Sequence, residues 1–332
     1  MIQYVIRRLL ISIPILLIGT FVAYVLVATS GDPIAALAAR PGVTPEVIAN
    51  ARHNLGLDQN ILERYWHWLV NFVHGDWGVS IALSQGGQPV FSTVMSALWV
   101  TIRLVVGAEI IALILGMAVG ALAALRQYSV FDYIATTLAF LLFSMPIFCV
   151  AIVLENYGIE FNNVLQSVGL PRWLTLAGPP TAGFTGNIGQ QIYAYTGTFI
   201  LPTISIMVIS FAAYSRFQRA SMLEVLGADY VRTARAKGLS SGRVVFRHAF
   251  RNALIPVTTL FSLNFGAAFT GAIVTETVFA WPGMGSVLVS AVRQYDPNML
   301  MGFLVVTATL IIIFNLIADI TYGILDPRIR LG

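Results

Sequence analysis

The chain has 332 residues, of which 57% are apolar and only 10% charged, and its formal net charge is +4. An ordinary soluble domain carries charge on about a quarter of its residues. The composition therefore excludes a soluble protein and indicates that much of the chain faces a membrane.

Six stretches of the chain are apolar and almost free of charge. A helix of about 20 residues crosses the roughly 30 Å of hydrocarbon in a bilayer. The fourth stretch is shorter and has Pro202 near its start. We interpret it as a span because the chain has five longer apolar stretches. The predicted spans are Leu9 to Thr29, Leu104 to Leu125, Tyr133 to Leu154, Phe199 to Tyr214, Ala253 to Thr275 and Met299 to Ala318. We predict an all-α, polytopic membrane protein with six transmembrane helices.

The placement of basic residues predicts the orientation, because Lys and Arg are retained on the cytoplasmic side. With a cytoplasmic N-terminus, thirteen basic residues fall in inner segments and five in outer ones. Both termini are therefore predicted to be cytoplasmic, in a multi-pass protein of the plasma membrane.

The first outer loop has the composition of a folded segment. Thr44-Pro45-Glu46 predicts the start of a helix, and a second helix is expected after Asp58. Tyr65, Trp66 and Trp68 lie on the broad apolar face of that second helix, which suits either the lipid interface or packing on neighbouring helices.

The third outer loop contains the turn-rich run Trp281 to Gly285, followed by apolar residues at helical spacing. This pattern predicts a short amphipathic helix, which could cap a pathway or lie on the membrane.

The inner loop from Arg216 to Arg251 holds eight basic and two acidic residues. A charge run is often a solvated face or an attraction to anionic lipid headgroups. Within it, Leu223 to Gly238 predicts one helix, because acidic residues come early, basic ones late, and glycine ends it.

The run GADYVRTARAKGLSSGRVVFRHAFRNALIPV in this loop resembles the inner loop of ABC importer permeases of the dipeptide and oligopeptide class. The opening MIQYVIRRLL, GDWG at Gly75 to Gly78, WPGMG at Trp281 to Gly285 and DPRIR at Asp326 to Arg330 agree with it. The general permease signature begins Glu-Ala-Ala, whereas this chain has Arg232-Thr233-Ala234 there.

The resemblance implies the type I ABC importer permease fold, with a short helix that docks on a cytoplasmic ATPase. It implies a bacterial inner-membrane permease subunit, non-catalytic itself, that forms half of a pathway for di- or oligopeptides. The residues expected to couple to the ATPase are Asp229, Tyr230, Arg232, Thr233, Ala234, Arg235, Lys237 and Gly238.

The expected partners are a second homologous permease, two ATPase subunits or domains, an external binding protein and membrane lipid, with no nucleic acid. The chain has no G-x-x-x-x-G-K-[ST] run, so it is not expected to cradle ATP phosphates in the usual way. No cofactor is expected in this chain, and ATP and Mg would be held by partner subunits.

Ionisable residues inside spans are functional candidates by default. Arg103, Glu109 and Asp319 are the intramembrane polar candidates, and Glu109 is expected to be a structural tie rather than a substrate contact. Glu109 and Asp319 could also serve a proton relay in a secondary carrier, which is the alternative function.

Two further alternatives concern chemistry and substrate. His53, His67 and His74 could be imagined as an outer metal site of an enzyme, but they lack acidic partners at ligand spacing. The same ABC role with nickel, glutathione or haem as substrate also stays open.

We expect three regions along the chain. Residues 1–98 form the first span and the outer helical loop, and residues 99–325 form a five-span core that includes the coupling loop 216–251. Residues 326–332 form a cytoplasmic tail.

Overall fold

The computed structural model describes residues 2–38, 41–54, 56–81, 87–179, 187–268 and 272–325. The motif from Asp326 to Arg330 and the predicted tail 326–332 lie outside these residues. Within them the regular structure is helical, apart from one isolated antiparallel bridge between Val79 and Pro89. The all-α prediction is confirmed.

The helices, in chain order, are α1 (Ile2–Ser30), α2 (Ala35–Ala38), α3 (Pro45–Asn54), α4 (Ile61–Val73), α5 (Val90–Leu125), α6 (Val130–Ser144), α7 (Ile147–Ser167), α8 (Ile188–Leu226), α9 (Asp229–Ala236), α10 (Ser241–Arg243), a π-helical segment (Val244–Phe250), α11 (Arg251–Ala268), α12 (Ile273–Val278), α13 (Met284–Arg293) and α14 (Pro297–Leu325). They form two compact units. One unit contains Ile102–Trp281 and the chain from Ile313, and the other contains Ile2–Thr101 and Pro282–Ile312.

Four helices in the described residues, α1, α5, α8 and α14, are long and apolar enough to cross a membrane, and the number is five if the bent pair of α6 and α7 counts as one span. The helices α1, α5, α8 and α14 contain four of the six predicted spans. The predicted span Ala253 to Thr275 falls on α11 and α12, with residues 269–271 between them outside the described part. The span from Ala253 to Thr275 stays a prediction.

The predicted span from Tyr133 to Leu154 is not one continuous helix. The chain breaks between α6 and α7, and the two helices are bent by 105°. Pro146 has no N–H to continue the helical hydrogen bonds, and it disfavours helical angles at the residue before it. Met145 and Pro146 are accordingly extended, with ψ of 130° and 135°.

In the unit that contains α1, the outer helix α4 packs on α1. The side chains of Tyr65 and Trp68 are buried beside Tyr24, and the Tyr65 hydroxyl donates to the Leu17 carbonyl at 3.1 Å. Trp66, by contrast, is 62% exposed. The packing interpretation of the aromatic face therefore applies to Tyr65 and Trp68.

The short helix predicted in the third outer loop is α13, which belongs to the same unit. Its buried face meets the starts of α5 and α14, where Met284 and Val287 cluster with Val90 and Met299. The Met284 N–H donates to Thr101 Oγ1 at 2.8 Å. The helix is thus held by packing against protein.

In the other unit, α5 and α8 approach closely at Gly116 and Gly120. A Cβ atom at Gly116 would lie 2.7 Å from Tyr214 Cβ, and one at Gly120 would lie 2.8 Å from Gln218 Cβ. Small residues four apart let the backbones of membrane helices meet in this way. Only glycine fits at these two positions without a shift of α8.

Replacing Gly120 with leucine is expected to lower the free energy of unfolding by about 1–3 kcal/mol, because the added side chain overpacks a closed contact. Gly107→Leu is the matched control on the same helix, since a Cβ at Gly107 has no atom within 4 Å. Denaturant unfolding of the purified protein in detergent measures both. Equal stability of the two variants would contradict the close contact.

Candidate functional site

The segment predicted as one helix from Leu223 to Gly238 is two helices, so that prediction is wrong. Helix α8 ends at Leu226, and Gly227 closes it by donating its N–H to the carbonyls of Leu223 and Glu224. Ala228 is then extended, with ψ of 147°, before α9 begins. The interruption makes α9 a separate short helix.

One face of α9 is buried. Val231 is fully buried and Ala234 nearly so, and they cluster with Val244 of the π-helical segment and with Val225 of α8. The spacing of three residues places Val231 and Ala234 on the same side of the helix. Ala234 therefore anchors α9 by packing and is not an exposed docking residue, and Val231, which is not among the predicted coupling residues, anchors it too.

Gly238 ends α9, as the sequence predicts. Its φ is +79°, a left-handed conformation that favours glycine. The Gly238 N–H donates to the Arg235 carbonyl at 2.9 Å, and the Leu239 N–H donates to the Ala234 carbonyl at 3.4 Å. Leu239 also packs on the cluster around Val231. This Schellman arrangement fixes the end of the helix.

The remaining predicted coupling residues lie on the surface. They are Asp229, Tyr230, Arg232, Thr233, Arg235, Lys237 and Gly238. Asp229 and Arg232 form a loose, exposed pair at 3.9 Å, and the Asn252 side chain of α11 donates to the Tyr230 hydroxyl at 3.0 Å. The exposed face of α9 is thus polar and mainly basic.

The intramembrane candidates are not brought together. Arg103 is exposed on α5, and Asp319 is half-buried on α14. Glu109 is 2% exposed and accepts hydrogen bonds from Ser210 Oγ at 2.5 Å and from the Tyr214 hydroxyl at 2.6 Å. Both donors belong to α8, so the contacts have the form expected of a tie between helices.

A part-buried ion pair joins α6 to α8. Arg219 Nε and Nη2 donate to the two carboxylate oxygens of Asp132 at 2.6 and 2.8 Å. The Tyr128 N–H and the Thr136 hydroxyl donate to the same carboxylate at 3.0 and 3.2 Å. Ser129 three residues before Asp132 signals a helix start, but no sequence pattern pairs Asp132 with Arg219.

The three histidines of the outer loop, His53, His67 and His74, do not form a cluster. His53 Nδ1 lies 3.0 Å from Asp58 Oδ2, and His74 Nδ1 lies 2.7 Å from the Val70 carbonyl oxygen. The hydrogen bond with His53 lowers the pKa of Asp58. Across the described residues, no three His, Cys, Asp or Glu side chains form a group that could hold a metal ion.

Family models match almost the whole chain. Residues 116–331 match the binding-protein-dependent transport system inner membrane component, and residues 1–105 match the N-terminal region of that component.

Curated relatives match over their full length. The dipeptide transport system permease protein DppB of Escherichia coli K12 is 38% identical over 99% of both chains. The oligopeptide transport system permease protein OppB of Mycobacterium tuberculosis is 35% identical over 100% of both, and AppB of Bacillus subtilis is 37% identical over 99% of this chain and 100% of its own.

A solved structure shares the fold. The inward-facing MetNI methionine ABC transporter aligns with a TM-score of 0.53 and 14% identity, over 71% of this chain and 97% of its own. The predicted ABC permease fold is confirmed. The chain is a non-catalytic, multi-pass component of a transport system, and it belongs to the family of inner-membrane components of binding-protein-dependent transport systems.

Proposed function

We propose that this chain forms half of the translocation pathway of an ATP-driven importer for di- and oligopeptides. The observation that carries the proposal is its full-length similarity, at 35–38% identity, to permeases named for dipeptide and oligopeptide transport. A second, related permease would complete the pathway. An external binding protein would deliver the peptide, and two ATPase subunits or domains would hold ATP and Mg.

The contacts of α9 support a role in coupling. Its buried face is attached to the end of α8 through Val225 and to the π-helical segment through Val244. Tyr230 also accepts a hydrogen bond from Asn252 at the start of α11. A displacement of α9 would therefore move the ends of two long helices together. Through these contacts, an ATPase bound to α9 could move the membrane helices without contacting them itself.

The exposed face of α9 is suited to docking on an ATPase. Arg232, Arg235 and Lys237 are positively charged and exposed, and Thr233 lies between them. We assign the contact with the ATPase to these four residues together with Asp229, Tyr230 and Gly238. Ala234 lies on the opposite, buried face and holds α9 in place.

For the intramembrane groups we propose structural roles. Glu109 ties α5 to α8 through Ser210 and Tyr214, whereas Arg103 reaches the outer interface and Asp319 the inner one. The two hydroxyl groups of α8 that donate to Glu109 support the structural tie over a proton relay. For the organisation of the chain, we propose the three regions 1–98, 99–325 and 326–332 defined above.

Reconstitution tests the proposed function. The chain, its second permease, the ATPase and the binding protein are placed in vesicles, and uptake of a labelled dipeptide is measured. We expect uptake that requires ATP and the binding protein and that ignores a pH gradient.

Two results would contradict the proposal. Peptide uptake by this chain alone, driven by a pH gradient without ATP, would indicate a secondary carrier. Uptake of nickel, glutathione or haem in place of peptide by the complete system would keep the ABC role and refute the peptide substrate.

A further inference from the structure

Three arginines follow one face of the segment that leads from α10 into α11. Arg243, Arg247 and Arg251 are four residues apart, and all three are exposed. Residues four apart lie about one turn apart in a helix, so the three side chains share a face. Another face of the segment is buried, where Val244 packs on α9 and Ala249 packs against α5 and α8. We call the three exposed residues the arginine row.

The arginine row has no acidic partner. The sequence contains no Asp or Glu from Tyr230 to Thr275. Within the described part of the chain, no carboxylate lies within 4.0 Å of a guanidinium nitrogen of the row. Arg232 of α9, by contrast, has Asp229 at 3.9 Å. Three cations of one sign on one face attract a partner that carries several negative charges.

An exposed aromatic side chain lies beside the arginine row. Phe246 is 73% exposed, and its ring meets that of Phe250 edge-on, with the ring centroids 6.4 Å apart. Phe250 in turn packs on the buried cluster that contains Met222. Aromatic and basic residues occur side by side at a lipid–water interface, where the ring enters the edge of the hydrocarbon and the cation meets the headgroups. This combination fits a lipid surface.

The position of the arginine row fits the inner leaflet. The row belongs to the predicted inner loop, and the predicted span begins at Ala253, two residues after Arg251. At about 1.5 Å per residue, Arg251 and Arg247 lie roughly 3 and 9 Å before that start along the helix. The headgroup layer on each side of a bilayer is roughly 5–8 Å thick. The cytoplasmic leaflet is the one whose anionic headgroups attract basic segments next to a span.

We propose that the arginine row and Phe246 form a binding site for anionic phospholipids of the inner leaflet. The guanidinium groups donate to phosphate oxygens, which their planar fork matches, and Phe246 inserts among the acyl chains below the headgroups. The site goes beyond the proposed function, and it divides the basic inner loop between two partners. The exposed face of α9 meets the ATPase, and the segment on which α9 packs through Val244 is held by lipid.

Native mass spectrometry of the purified chain in detergent tests the proposal. The chain is mixed with equal amounts of phosphatidylglycerol and phosphatidylcholine that carry the same acyl chains, and the ratio of the two bound lipids is measured. We expect the natural chain to retain an excess of phosphatidylglycerol. Arg247→Gln with Arg251→Gln is expected to lower the ratio about 10-fold or more, because each arginine near anionic headgroups contributes about 5-fold.

Three further variants make the test specific. Arg232→Gln with Arg235→Gln is the matched control, because it removes two exposed arginines of α9 from the same inner loop, and its lipid ratio is expected to stay natural. Arg247→Lys with Arg251→Lys keeps the charge and should keep most of the preference for phosphatidylglycerol. Phe246→Ser keeps the arginine row and should weaken the retention of both lipids alike, which leaves their ratio unchanged.

Three results would overturn the proposal. The first is a natural chain that shows no preference for phosphatidylglycerol, or an unchanged ratio in Arg247→Gln with Arg251→Gln. The second is an equal fall in the α9 control, which would mean that lipid responds to the total charge of the loop. The third is an unchanged ratio together with loss of ATPase co-purification in Arg247→Gln with Arg251→Gln, which would assign the row to the ATPase. Lipid retention is measured on this chain alone, so the test does not depend on the proposed transport function.

Discussion

Replacing Asp132 with alanine is expected to lower the free energy of unfolding by about 1.5–3 kcal/mol, because the part-buried Arg219 guanidinium loses the carboxylate that accepts its hydrogen bonds. Asp132 is 2% exposed, and its carboxylate accepts from Arg219, the Tyr128 N–H and the Thr136 hydroxyl. Without it, the Arg219 guanidinium stays between α6 and α8 with no counter-charge. Denaturant unfolding in detergent gives the change directly.

Two comparisons make this expectation specific. In the double variant Asp132→Leu with Arg219→Met, an apolar pair replaces the ion pair, and most of the lost stability should return. Asp229→Ala is the matched control, since Asp229 is 99% exposed and its 3.9 Å pair with Arg232 is expected to add nothing measurable. Equal stability of Asp132→Ala and Asp229→Ala would show that the pair of Asp132 and Arg219 does not stabilise the protein.

Replacing α9 is expected to abolish ATP-driven uptake while the protein stays inserted in the membrane. In the variant, a Gly-Ser linker of the same length takes the place of Asp229 to Gly238. The linker keeps the chain connected but removes both the exposed basic face and the anchors Val231 and Ala234. Membrane insertion is measured by fractionation, ATPase binding by co-purification, and uptake in vesicles.

A milder variant separates the two faces of α9. Arg232→Glu with Arg235→Glu reverses charge on the exposed face and leaves Val231 and Ala234 in place, so the fold should persist while ATPase binding weakens. Natural ATPase binding and uptake in the linker variant would refute a coupling role for α9.

The sequence predicted the elements whose signals are local. The apolar runs within α1, α5, α8 and α14 and the turn signals around α3, α4 and α13 depend on composition and caps, and they are confirmed. Pro146 signals that a helix can bend, but proline is tolerated in membrane helices, so its presence alone does not show whether a span bends or stops. Gly227 likewise stops α8, although Gly238 was the predicted stop.

The side-chain pairings were out of reach of the sequence. Asp132 and Arg219 are 87 residues apart, and Glu109 and Tyr214 are 105 apart, so only the packing of α5 and α6 on α8 brings them together. The burial of Ala234 was missed for a different reason. The resemblance identified the whole segment as a docking element, whereas the spacing of Val231 and Ala234 indicates which side faces inward.

The most direct test of the account is whether α9 touches an ATPase through its exposed face. With Cys149 replaced by alanine, a cysteine is introduced at exposed Thr233 or at adjacent, 7% exposed Ala234, and each assembled complex is treated with a cysteine-to-lysine crosslinker. We expect Thr233→Cys to crosslink to the ATPase subunit, with a yield that changes when ATP is added, and Ala234→Cys not to crosslink. Crosslinking at both positions alike, or at neither, would contradict the account.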